Sequence, residues 1–279
     1  MFSVVVAAGH IATPDAHLRL SQARLWVETG LIELPANVGD PTHGNIAITT
    51  EGRRFSVYNP GQIIAYVPLV SLAKIIDGAV PFHHHYIAAF FASFIGPLCH
   101  FFTAWILFLT SQILRRPILH SIGIALVFAV ATVFLPHSTD GYEHSQEMLG
   151  LMVAFYWGVR NYAQDYCHRR SALLAGASLG CAVLFRTSAL AATPGLLTLT
   201  RRNDIPYFFL GLSPFLLIIL YYNFLRFGDP FVSGYGMAWA LSDSGPPLPG
   251  CFFCTPVFAG KRAAPLFASA ISNSCRVVN

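Results

Sequence analysis

Asp15 stands where a short apolar N-terminal run gives way to polar sequence, with His17 and Arg19 close behind it. A carboxylate placed at such a boundary can serve as a general base. It can equally cap the helix that follows. The stretch LPHSTDGYEHSQE gathers Asp140, Glu143 and Glu147 with His137 and His144, although acids are almost absent from the apolar segments around it. Such a set could hold a divalent cation or a polar substrate. It could also be a solvated turn with Glu147 favourably placed at a helix start. Arg186 interrupts an apolar run. Its planar guanidinium suits a phosphate, which it can bind bidentately, and it suits an interfacial anchor as well. The run His83-His84-His85 offers metal-binding side chains or a plain interfacial helix start. Arg53, Arg54 and Lys74 are further cations able to meet lipid headgroups. Cys251 and Cys254 form a CxxC without a second pair, so no metal site is expected there.

Composition says what must position these residues. Only 11% of the chain is charged and mean hydropathy is +0.56. Soluble domains carry about 25% charged residues. Too little charge remains to coat a water-facing globule, so the expected class is an all-α integral membrane protein, a polytopic transmembrane helix bundle. The net charge of +4 is scattered rather than gathered in a run, which excludes nucleic acid as a partner and leaves membrane lipids. The six cysteines form no disulfide framework, since Cys99 and Cys181 fall inside apolar spans.

Hydropathy places spans at about 86–113, 117–135, 146–163, 172–185, 188–200 and 206–224. Arg115–Arg116, Arg160 with Arg169–Arg170, and Arg201–Arg202 fall at alternate span boundaries and face the cytoplasm by the positive-inside rule. The turns at 136–145 and at Arg186–Thr187 then face out, together with residues 14–85 and everything after Leu225. Arg186 belongs in an outward turn because an arginine at mid-membrane depth is costly. The segment 61–76 contains Pro68 and Lys74 and is too short to cross, so it is expected to lie along the outer face. The run 86–113 is expected to cross unbroken despite Gly96-Pro97.

The polar loop has local structure of its own. PDAHLRLSQARLWVETG predicts an amphipathic helix resting on the membrane, from Pro14 to a C-cap at Gly30. NIAITTEGRRFSVYN predicts a short hairpin around Glu51-Gly52. Residues 1–13 are expected to be a truncated first transmembrane helix, and residues 225–279 an outer-face tail. That tail changes character after Leu241, which points to a frameshift after about residue 240 and a start codon assigned too late.

Four stretches resemble the polytopic GT-C-type glycosyltransferases, in particular protein O-mannosyltransferases and lipid A aminoarabinose transferases. TPDAHLRLSQARLWVETG is similar to the family's first outer loop, and FSVYNPGQIIAYVPLV to its Tyr-x-Pro-Gly-Gln segment. SALLAGASLGCAVLFRTSALAATPGLL is similar to its small-residue helix, basic break and Pro-containing helix. YYNFLRFGDPFVSGYG is similar to its Tyr-Asn-x-x-Arg-Phe-Gly signature and is the most specific of the four. The resemblance implies sugar transfer from a polyprenyl-phosphate donor to a lipid or glycan acceptor at the outer face of the plasma (inner) membrane. It implies Asp15 as the catalytic base, with Glu147 or Glu143 supplying a second carboxylate because Ala16, not an acid, follows Asp15. It implies substrate binding by His17, Arg19, Tyr58, Gln62, Glu143 and Arg186, the last against the donor phosphate. No cofactor is otherwise implied, though a divalent cation could take part. The competing expectation is a non-catalytic membrane protein, either a truncated remnant of that family or a transporter.

Overall fold

The computed structural model describes residues 11, 13–39, 44–49, 51–79, 84–139, 141–163 and 168–235. The expectations for the N-terminal stub, Asp140, His83, Cys251, Cys254 and the tail beyond residue 235 lie outside the described residues, as do those for the His84 and His85 side chains.

The described chain is mostly helical. Helix α1 runs Pro14–Thr29, with proline at its start and Gly30 in the left-handed conformation that ends it. Strands β1 (Ile46–Ile48) and β2 (Arg54–Ser56) form the expected antiparallel hairpin, with Ala47 opposite Phe55. Helix α2 (Gly61–Ala79) packs on α1 and continues three residues past the expected interfacial segment. Helices α3 (His84–Ser93) and α4 (Ile95–Ile113) are separated by Phe94 alone, which keeps right-handed helical geometry, so the expected run 86–113 continues as one apolar stretch. The interruption falls at Phe94 because Pro97 has no N–H for the Ser93 carbonyl and its ring crowds that carbonyl. Helices α5 (Ile118–Ala131) and α6 (Phe134–Thr139) follow, then α7 (His144–Ala163) and α8 (His168–Phe185). A 3-10 turn at Thr187–Ala192 leads into α9 (Thr193–Thr198), and α10 (Ile205–Phe227) closes the described chain.

Two of these helical stretches, Tyr86–Ile113 and Arg202–Phe227, are long and apolar enough to cross a membrane. The expected span 188–200 is corrected. Pro194 cannot donate to the Leu190 carbonyl, so a regular helix begins only at Thr193 and lasts six residues. The expected span 117–135 shortens to the 14 residues of α5, about 21 Å at 1.5 Å per residue.

The amphipathic reading of α1 is also corrected. Its buried residues are Ala16, Leu18, Arg19, Leu20, Gln22 and Ala23, whereas Trp26 is exposed. The polar side chains of Arg19 and Gln22 therefore point inward, and the helix packs against α2.

The core is built on small residues. Ala172, Ala175 and Ala182 of α8 meet Ala154 of α7 and Phe208 and Leu212 of α10. Gly176 lets α8 approach α10 so closely that a methyl group there would run into the Phe208 carbonyl, and Gly211 does the same against the Leu173 carbonyl. Close helix approach of this kind gains dispersion contact without needing water to be expelled. Gly176→Leu is expected to separate α8 from α10 and cost at least about 3 kcal/mol, given how overpacked cores respond. Loss of less than about 1 kcal/mol in a detergent-solubilised unfolding titration would show that the helices can part freely.

Candidate functional site

One end of the helical assembly brings together α1, the segment after β2, the turn before α7 and the break after α8. Asp15 lies in the first turn of α1, with Thr13 at the N-cap position, so the capping role considered for Asp15 is not the one it has. Its carboxylate, partly exposed, lies near enough to the Tyr58 phenol to act on it electrostatically. Burial first, and then that carboxylate, push the Tyr58 phenol well above its ordinary range, which keeps the hydroxyl protonated as a donor.

Arg19 follows one helical turn later and is 2% exposed. Its guanidinium lies 3.8 Å over the Tyr58 ring, donates to Gln62 Oε1 at 2.7 Å and sits 2.6 Å from Glu143 Oε2. The last contact is an ion pair without hydrogen-bond alignment, so Glu143 Oε2 has no directed partner. Gln62 Nε2 spans two more groups, donating to the Gly141 carbonyl at 2.7 Å and to the Tyr66 hydroxyl at 2.8 Å. Gly141 adopts φ +76°, which turns its carbonyl towards α2 at a place where most side chains would be strained.

Arg186 ends α8 in an extended conformation and keeps 40% of its side chain exposed. Its Nη1 donates to His144 Nδ1 at 2.9 Å. Its Nε lies 3.9 Å from both Glu143 Oε1 and Glu147 Oε2, beyond hydrogen-bond reach of either. Glu147 also accepts from Ser188 Oγ at 3.5 Å. Burial and then Arg186 hold the His144 imidazole below its ordinary range, so the ring is neutral and Nδ1 accepts. With the folded value lowered, this contribution to stability is complete above the ordinary histidine range and is lost as pH falls through the lowered value.

The structure thus gathers Asp15, Arg19, Tyr58, Gln62, Glu143, Glu147 and Arg186 into one network. His17 does not join it. That side chain is exposed and lines a groove of about 350 Å³ with Leu18, Ser21, Val38 and Asn45. A shallower groove of about 530 Å³ runs along α5 beside Leu119, Gly123 and Val127, also away from the network. Among the described residues no group of three or more His, Cys, Asp or Glu side chains is arranged to hold a metal ion.

Two participants, Tyr235 and Arg226, were not singled out from the sequence, and a third was read without its partner. His144 was legible as part of an acidic turn, but not as the acceptor for Arg186. Tyr235 packs edge-on against Tyr58 at 6.1 Å, and burial followed by Glu143 raises its phenol. Arg226 is 2% exposed and donates to the carbonyls of Ser56 at 2.6 Å and Tyr58 at 3.1 Å, and to Asn223 Oδ1 at 2.7 Å. A lone cation near the end of an apolar helix was the available signal for Arg226.

No family model matches the chain, and no curated protein or solved structure does either.

Proposed function

We propose that this chain is a polytopic plasma-membrane glycosyltransferase of the GT-C type, moving a sugar from a polyprenyl-phosphate donor to a hydroxyl acceptor at the outer face. The observation that carries the reading is the convergence of Asp15, Glu143, Glu147 and Arg186 at one end of the helices, with Asp15 and Arg186 partly exposed. A base and a phosphate-binding cation are what such a transfer needs from a protein.

In this reading Arg186 faces the donor phosphate. His144 holds its Nη1, while neither carboxylate is close enough to engage it fully, so N–H donors remain for an anion. The acceptor oxygen attacks the anomeric carbon and forms the new C–O bond. The bond from that carbon to the phosphate oxygen breaks, and its electron pair leaves with the polyprenyl phosphate. Asp15 takes the acceptor proton. Arg186 stabilises the charge that grows on the phosphate. Arg19 is buried against Glu143 and Gln62, so its part is to fix the frame rather than to touch substrate.

The test is transfer from a short-chain prenyl-phosphate sugar by the purified protein in vesicles. Wild type transfers sugar, and Arg186→Gln raises the donor KM by about ten- to a hundredfold, the worth of a charge-assisted pair. A wild-type protein that transfers nothing, or a variant with unchanged donor KM, overturns the reading.

A further inference from the structure

We infer, on the reading that Arg186 meets the donor phosphate, that His144 is the positioning residue for Arg186. Its neutral imidazole holds the guanidinium off two neighbouring carboxylates and so keeps N–H donors open to an anion.

Arginine has N–H donors and no acceptor, so the 2.9 Å contact between Arg186 Nη1 and His144 Nδ1 requires a lone pair on Nδ1. The imidazole is therefore neutral, with its proton on Nε2. Its place as the first residue of α7 favours the same state, because the N-terminal end of a helix repels a cation. The charged and titratable groups around the ring are Arg186 after α8, Arg19 on α1, Glu143 and Tyr142 before α7, Glu147 on α7 and His137 on α6. The rings of His137 and Tyr142 flank the imidazole at 5.4 Å and 5.8 Å.

Arg186 has two other acceptors close by. Glu143 Oε1 and Glu147 Oε2 each lie 3.9 Å from its Nε. A full ion pair with either carboxylate would occupy donors that a phosphate needs. The tether at Nη1 keeps the side chain short of both, while 40% of it stays exposed. A proton on His144 Nδ1 undoes this arrangement. It removes the lone pair, sets two cations against each other, and makes Nδ1 a donor with Glu147 Oε2 only 3.7 Å away. His144 then turns to Glu147, and Arg186 is left to Glu143.

The test is binding of diethyl phosphate to the detergent-solubilised full chain, followed by titration calorimetry from about pH 5 to 8. This diester keeps one negative charge across the scan, so only the protein titrates. His144→Phe keeps a ring and loses the acceptor. His144→Asn loses the ring and keeps an acceptor, its Oδ1, at the reach of Nδ1. The expected result is a Kd raised about tenfold in His144→Phe, the size of one lost hydrogen bond to a charged group, and within about twofold of wild type in His144→Asn. Wild-type affinity falls as pH drops through the lowered His144 value, and His144→Asn shows no such fall. The reverse order of the two variants would make His144 a packing residue and overturn the inference. Affinity that rises on acidification would make the imidazolium itself a ligand for the anion, and overturn it too. If wild type binds no diethyl phosphate, the phosphate reading of Arg186 fails, and modification of Arg186 by phenylglyoxal, read by mass spectrometry, decides the tether alone. Labelling is expected to be several-fold slower in His144→Phe than in wild type and His144→Asn, because the guanidinium has closed on a carboxylate. Equal labelling in all three overturns the His144–Arg186 link.

Discussion

Glu143→Leu is expected to destabilise the protein by about 3–5 kcal/mol, the cost of leaving a buried charge without its partner. Arg19 and Glu143 face each other with side-chain exposures of 2% and 9%, and Gln62 supplies the remaining neutral contact to the guanidinium. Removing the carboxylate strands the arginine among apolar neighbours and the Tyr58 ring, where it cannot rehydrate without opening α1. The same reasoning predicts the double variant. Arg19→Met with Glu143→Leu recovers much of the loss, because an apolar pair of similar volume avoids both desolvation penalties. Denaturant titrations of the solubilised protein would measure all three. If Glu143→Leu stays within about 0.5 kcal/mol of wild type, the pair is no keystone. If the double variant is as unstable as the single, the cost lies in lost packing and not in the stranded charge.

Asp15→Asn carries the largest expected effect on activity. Sugar transfer falls by about a hundredfold to ten-thousandfold, the range for loss of a general base. The fold changes little, because Asp15 is partly exposed and asparagine has nearly the same shape. The contrast with Glu143→Leu separates the two acids. One change removes activity and spares stability, and the other removes stability first. Initial rates of sugar transfer, set beside a thermal unfolding scan of the same preparation, give both quantities. Transfer at wild-type rates by Asp15→Asn would hand the role of base to Glu147, the other acid beside Arg186.

Local features were legible because neighbouring residues dictate them. Pro14 and Gly30 bound α1, Glu51-Gly52 turns the hairpin, and Arg186 ends α8, each by backbone geometry within a few residues. Two long apolar helices were readable for the same reason, since hydropathy is a sum over adjacent side chains. Proline effects were read less well. Pro97 lies three residues beyond the interruption at Phe94, Pro194 sits in the first turn of α9, and hydropathy does not register a missing N–H.

The candidate residues were legible by type, whereas their relations were not. Asp15, Arg19, Tyr58, Gln62, Glu143, Glu147 and Arg186 stand out in a chain so poor in charge. Nothing local shows that Arg19 pairs with Glu143 or that His144 rather than a carboxylate holds Arg186. Nor does anything local show that His17, two residues from Asp15, faces another groove. The sequence by itself determined the helical and apolar character, the turns and the short roster of chemically capable side chains. Only the tertiary structure decided which of these meet and which are buried. It alone joined Arg226 to Tyr58 across 168 positions, because that contact depends on how α10 packs against the segment after β2 and not on any preference of either stretch alone.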